Sequence, residues 1–369
     1  MKILLAGAGG YGTGYVNRLL SNTDPDIVWE GIVDPFFDRC TKKDEINQKG
    51  IPVYDTMEEF YAGHTADLAV ISTPIFLHRE QAVCALSHGS YVLCEKPAAA
   101  TTEDVRAMAE AAEKYGRWVA VGYQWSFSEA MQQLKQDVLA GRLGKPVALK
   151  TVISWPRNRA YYRRGGGWAG RITKDGKWVL DSIASNACAH YLHNMLFLLG
   201  DAMDTSAAAE IVSGSCLRAN DIENFDTCTI KMRAGGAQLY FAASHATERI
   251  GEPKFEYTFE NGQVTFDANT DSLIHARFAD GSTKCYGDPF ADNFKKLTDC
   301  ISAVQRGTTP VCTVKTAYEH VAVVEGIYKT IPTQDFPRGT VKENTETEGV
   351  YVEGLYKKLY EKYNAMEIL

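Results

Sequence analysis

Six residues near the start of the chain, Gly7-Ala8-Gly9-Gly10-Tyr11-Gly12, constrain the fold more than any other stretch. They give G-x-G-x-x-G at Gly7, Gly9 and Gly12, directly after an apolar run at 2–6 and directly before a helical stretch that continues through Leu20. In a strand–turn–helix unit each glycine has its own steric reason. The first permits the tight turn, the second lets the backbone approach a pyrophosphate, and the third allows close helix–strand packing. Amides at the N-terminus of the following helix then face the phosphates. A glycine-rich turn alone is a weak signal, but this context makes it a dinucleotide site.

The surrounding pattern agrees. Apolar runs at 2–6, 27–33, 68–72, 91–94 and 118–122 alternate with helical stretches, as in a parallel sheet covered by helices. From Val147 onward the strands alternate polar and apolar residues and are joined by turns such as Glu260-Asn261-Gly262, the pattern of a mostly antiparallel sheet. One apolar helix, about 182–199, interrupts them. The expected fold is therefore α/β: an N-terminal Rossmann domain at 1–125, then an α/β domain at 126–332 with an open, mostly antiparallel sheet. A polar tail at 333–369 ends in a segment of helical period that reads as a docking helix or an oligomer contact.

Several side chains fall where the first sheet would meet a cofactor. Asp34 ends the second run; a carboxylate there accepts from the ribose hydroxyls of NAD and repels a 2′-phosphate, or it caps the next turn. That favours NAD over NADP. Ser72, Thr73 and His78 follow the 68–72 run, and the histidine either touches the cofactor or begins the next helix. Glu95-Lys96-Pro97 follows the 91–94 run. A lysine at that edge can hold a substrate hydroxyl or move its proton, although a surface lysine would look the same. Gln124 follows the last run and can reach nicotinamide or substrate, and Tyr11 lies within the glycine turn itself.

The glycine motif, Ser72-Thr73-Pro74 with His78, and Glu95-Lys96-Pro97 together resemble the glucose–fructose oxidoreductase, inositol dehydrogenase and MocA family, over roughly residues 1–330. The resemblance implies a Rossmann domain followed by an open-sheet domain whose face often mediates homo-oligomers. It also implies NAD(P)-dependent chemistry on sugars, inositols and related polyols, with Lys96 as the catalytic lysine. The family's second element is Asp-x-x-x-His ahead of a Leu-Leu-Gly ending. Leu198-Leu199-Gly200 sets the register here, so that His190 takes the histidine position and Asn186 stands where the family has aspartate. Helical spacing would put Asn186 and His190 on one face, with His193 nearby. Asp181 precedes them and supplies a carboxylate or caps the helix. Two further departures are Ile75, where asparagine often follows Thr-Pro, and Trp125, where arginine is frequent.

The stretch 155–171 is basic and aromatic. Arg159, Tyr162 and Trp168 in it suit sugar rings and their hydroxyls, as a loop over a substrate that also meets Lys96, Asn186 and His190. Composition excludes other partners. Acidic residues outnumber basic ones 46 to 39, for a net charge of −7, a field that attracts neither nucleic acid nor an anionic membrane. No apolar run approaches the ~20 residues of a membrane span, and no secretory leader is legible, so a cytoplasmic protein is expected. The 9 cysteines are scattered without a C-x-x-C pair, which argues against a disulfide framework or a metal site. The function expected is hydride transfer from a secondary ring hydroxyl of a sugar, glycoside (at carbon 3, for instance) or cyclitol to NAD. The alternative is an NAD-retaining glycosidase or lyase that works through transient oxidation.

Overall fold

The apolar runs of the N-terminal region pair as expected. In the computed structural model, which describes residues 1–369, they form β1 (Lys2–Ala6), β2 (Val28–Val33), β3 (Val53–Tyr54), β4 (Leu68–Ile71), β5 (Tyr91–Cys94) and β6 (Val119–Val121). All pairings are parallel and the order is β3-β2-β1-β4-β5-β6. Helices on both faces bury β1, β4 and β5 almost completely, which is why these strands are continuously apolar rather than alternating. Strand order reverses between β1 and β4, and a parallel sheet of this kind opens its ligand crevice at that switch, outside the carboxyl ends of its strands. Phe294–Lys315 belongs to this unit together with Met1–Gln124. The second domain expected at 126–332 included that segment.

The second unit, Trp125–Asn293 with Thr316–Leu369, holds a larger sheet. Its strands are β7 (Pro146–Ser154), β10 (Ala209–Arg218), β11 (Thr227–Ala234), β12 (Ala237–Ser244), β13 (Gly251–Phe259), β14 (Gly262–Asp267), β15 (Ile274–Phe278), β16 (Thr283–Gly287) and β17 (Thr333–Asp335); β8 (Thr173–Lys174) and β9 (Lys177–Trp178) make a separate small hairpin. The sheet order is β16-β15-β14-β13-β7-β12-β11-β10-β17, antiparallel except for β7–β12 and β10–β17. Strict alternation of buried residues along β13 shows the period-two pattern that made this domain legible. One face packs on the apolar helix, here Ala189–Leu198, around Trp125, Tyr191, Phe255 and Phe266. Trp125 is thus a core residue of this unit.

The tail is not a separate appendage. It adds β17 to the sheet, then a hairpin β18 (Val341–Asn344) and β19 (Gly349–Val352), then the helix Leu355–Ala365. That helix lies over the other face of the sheet, where Leu359 and Tyr363 pack on Val152, Tyr240 and Ala242. Glu248 receives the backbone N–H groups of Gly354 and Tyr356 at its N-terminus, where an anion is favoured. The face expected to be open is therefore covered over β7 and β12 by the chain's own C-terminal helix. No helix of the structure is long and apolar enough to cross a membrane. The docking generates an expectation for stability. Leu359→Ala should cost roughly 2–5 kcal/mol in chemical denaturation followed by a probe in the second unit. A loss below ~0.5 kcal/mol, the range of surface substitutions, would mean that the helix is only loosely attached.

Candidate active site

The glycine turn has the geometry that its sequence demands. Gly7 has φ of +87°, and a Cβ there would lie 2.7 Å from the Ser72 carbonyl oxygen. A Cβ on Gly12 would lie 2.1 Å from the Gly7 oxygen, whereas one on Gly9 would meet nothing within 4 Å. The turn is thus closed on its protein side and open at Gly9, the position where a pyrophosphate would approach. Asp34 braces it: one carboxylate oxygen accepts from Ala8 N and the other from Phe36 N, each at 2.9 Å. Asp34 thus caps the turn after β2 and is half-buried beside the glycine loop.

Glu95 organises the rest of this edge. Its carboxylate accepts from Tyr15 OH and from the Lys296 ammonium, and a Cβ on Gly122 would lie 2.8 Å from it. Lys296 is fully buried and gives its three N–H donors to Glu95, to Tyr11 OH (3.1 Å) and to the Gly122 carbonyl (3.2 Å). Tyr11 OH in turn donates to Gln124 Oε1 at 3.1 Å. Burial pulls the lysine's pKa down, but the Glu95 charge, the Tyr11 hydroxyl and the hydrogen bonds to both together hold the group above its ordinary value. Burial first, and then the Glu95 charge, push Tyr15 well up. Lys96 follows Glu95 and is half-exposed. Sequence reasoning missed Lys296. Its signal was a lysine on the buried stripe of the helix Lys295–Arg306, with Leu297, Cys300 and Ala303.

His78 is buried at the start of the helix His78–Ser87, with Nε2 against the Thr73 carbonyl (2.9 Å) and Nδ1 against that of Pro97 (3.0 Å). It ties the loop after β4 to Glu-Lys-Pro, and burial lowers its pKa despite those carbonyls. Ser72 N closes the end of β4 on Ala6 O, and Thr73 Oγ1 donates to Gln81.

In the second unit the expected helix 182–199 begins only at Ala189. Serines 182 and 185 bond each other's backbone and make a turn, so Asn186 stands in that turn and His190 in the first helical turn. Both are half-buried. Asp181 Oδ1 accepts from Asn186 Nδ2 at 2.9 Å and Oδ2 from Gly170 N at 2.6 Å. Asp181 also lines a small cleft with Tyr161, Tyr162, Ile222, Phe225 and His245. His245 donates from Nδ1 to the Trp155 carbonyl, and burial together with the Arg157 charge pushes its pKa down to about 3, so it is neutral. His193 lies instead in the core beside Ser126 and Phe197, its pKa driven well down by burial.

Of the loop residues, Tyr162 reaches this cleft, and Trp168 lies under Arg164, which also stacks on Tyr161 at 3.5 Å. Arg159 does not reach it. Its guanidinium pairs with Glu343 at 2.7 Å and its backbone bonds Glu348, because the tail hairpin β18–β19 runs alongside at the Asn158–Gly349 bridge.

A parallel sheet with this turn, brace and carboxyl edge defines the first unit as a dinucleotide-binding domain of the oxidoreductase class. Residues 1–123 match the family described as oxidoreductase family, NAD-binding Rossmann fold. Among curated relatives, the rhizopine catabolism protein MocA of Rhizobium meliloti is 28% identical over 169 residues, 45% of this chain and 51% of that protein. The D-glucoside 3-dehydrogenase of Escherichia coli is 33% identical over 93 residues, 25% of this chain and 26% of that protein. The matches thus span about half the length of these relatives or less. A solved WlbA dehydrogenase from Bordetella pertussis, in complex with NADH and UDP-GlcNAcA, superposes with a TM-score of 0.71 at 21% identity, over 89% of this chain and 96% of that one.

The buried pair carries a stability expectation. Lys296→Met leaves the Glu95 carboxylate buried without its cation and should cost roughly 3–5 kcal/mol in denaturant unfolding. The double variant Glu95→Gln/Lys296→Met removes both charges and should regain most of that loss. A double variant as unstable as the single one would mean that lost packing, not the stranded charge, causes the destabilisation.

Proposed function

We propose that this protein is an NAD-dependent dehydrogenase acting on a secondary ring hydroxyl of a sugar, glycoside or cyclitol, with carbon 3 of a glycoside the favoured position. One observation carries the reading. The loops after β1, β2, β4, β5 and β6 leave the parallel sheet at one edge, so Gly9, Asp34 and Lys96 share the border of one crevice. NAD fits the residues present there: Gly9 leaves room for a pyrophosphate, and Asp34 holds an acceptor beside the turn. When bound, it supplies the hydride acceptor.

The chain's own groups handle the proton. Lys96 holds the reacting hydroxyl and takes or returns its proton, and His190 is the second proton-transfer group, backed by Asn186. Tyr162 and Trp168 shape the sugar subsite, with Tyr161 and His245 beside them. The relatives named as 3-dehydrogenases support the choice of carbon.

Pure protein with NAD and a panel of glycosides, sugars and inositols, followed at the NADH band with product analysis, tests this. A keto-sugar with stoichiometric NADH is expected; a released aglycone without net NADH would indicate the lyase route instead. Lys96→Met should lower turnover ~10²–10⁴-fold and leave NAD affinity within a few-fold. Near-parental turnover would make Lys96 a surface lysine.

Cofactor choice is read separately by binding. NAD should bind more tightly than NADP, and Asp34→Ala should narrow that gap, since a hydrogen bond to a charged group contributes ~1.5–3 kcal/mol. Equal affinities in the parent protein would refute the role given to Asp34.

A further inference from the structure

We infer that Asp181 is a positioning residue that turns Asn186 into an obligatory hydrogen-bond acceptor at the reacting end of the substrate site. The role rests on the dehydrogenase reading above. An asparagine side chain can present either its oxygen or its NH2 group, and in water the two alternate freely. Asp181 removes that choice. An ionised carboxylate has only acceptor sites, so the atom of Asn186 that meets its Oδ1 at 2.9 Å is the amide nitrogen. With the NH2 group turned to Asp181, the atom that Asn186 offers to a substrate hydroxyl or an imidazole N–H is its oxygen.

The carboxylate is itself held. Asp181 is 3% exposed, and its other oxygen receives Gly170 N at 2.6 Å, so it cannot swing away from the amide. The backbone between the two residues is fixed as well. Ser182 N donates to Ser185 Oγ (2.8 Å), Ser185 N to Ser182 Oγ (3.2 Å), Ser185 Oγ to the Leu180 carbonyl (2.9 Å), and Asn186 N to the Ser182 carbonyl (3.1 Å). Leu180 adopts φ of +45°, a left-handed conformation that a leucine keeps only where its surroundings over-determine it. A rigid turn therefore delivers one amide in one orientation. Placed this way, Asn186 does the hydrogen-bonding work of a carboxylate without a charge at that atom.

The reciprocal exchange is the test. In Asp181→Asn the Gly170 N–H keeps the new amide's oxygen, so its NH2 group faces Asn186 and reverses that amide, turning NH2 rather than oxygen to the site; kcat for sugar oxidation should fall at least tenfold while KM for NAD stays within twofold. In Asp181→Asn/Asn186→Asp the hydrogen bond is retained with its polarity reversed, an oxygen is again offered at position 186, and kcat should return to within a few-fold of the parent. A single variant with parental kcat, or an exchange no better than the single variant, would overturn the inference. A role confined to holding Gly170 would not be rescued by a change at 186. A second readout needs no turnover. The side-chain amide proton signals of Asn186, identified as those lost in Asn186→Asp, should exchange slowly in the parent and fast in Asp181→Asn. Equal exchange in both would also overturn it. A parent that forms no NADH from any sugar would instead end the dehydrogenase reading, and the amide measurement would still decide the role of Asp181.

Discussion

A lysine ammonium with no solvent around it is the constraint on which the cofactor-side edge depends. Stripping such a group of water costs several kcal/mol, and only good geometry with every donor satisfied offsets it. Lys296 meets that condition with acceptors from three separate places: the Glu95 carboxylate after β5, Tyr11 in the glycine turn, and the Gly122 carbonyl after β6. Satisfying one ion therefore fixes three loops relative to one another. This is also why Phe294–Lys315 folds with the first unit despite its distance in sequence. The same segment closes the end of β6 through Val121 N on the Cys312 carbonyl, and Trp118 Nε1 on that of Thr308.

What could be read from the sequence follows the range of the forces involved. The glycine turn, Asp34 and the strand-end position of Lys96 were legible because each depends on a strand and the few residues after it. Lys296 was not, because a charged residue on an apolar helical stripe gains its meaning only from a carboxylate two hundred residues away. The helix expected at 182–199 was drawn too long for a related reason. Apolar character continues back through Ile183 and Ala184, but the serines at 182 and 185 bond the local backbone and hold it as a turn. Arg159 was assigned to substrate on residue type, and nothing local could reveal that Glu343 and the tail hairpin would take it.

The tail illustrates the same limit from the other side. Its helical period and polar composition were legible, and the docking helix is there. What the pattern could not supply was the surface beneath it. Leu359 and Tyr363 need an apolar face, and Val152, Tyr240 and Ala242 provide one because β7 and β12 run side by side at the centre of the sheet. The sheet face is thus covered over β7 and β12, and the hairpin leading to that helix pairs with the loop at Asn158.

The two units reach a common solution to one electrostatic problem. Groups that must face a reacting oxygen or a nicotinamide gain most when their dipoles are set before the substrate arrives, because nothing then has to reorganise during the reaction. Amides are poor at this in water, since either end can serve. In the first unit a buried cation imposes direction: Lys296 can only donate, so Tyr11 OH accepts from it and donates its own O–H to Gln124 Oε1, which is thereby turned toward Tyr11. In the second unit a buried anion does so: Asp181 accepts from the NH2 group of Asn186, which fixes which end of that amide faces it. A charge with a single hydrogen-bonding sense, buried one residue behind a neutral amide, orients that amide without placing its own charge against the substrate.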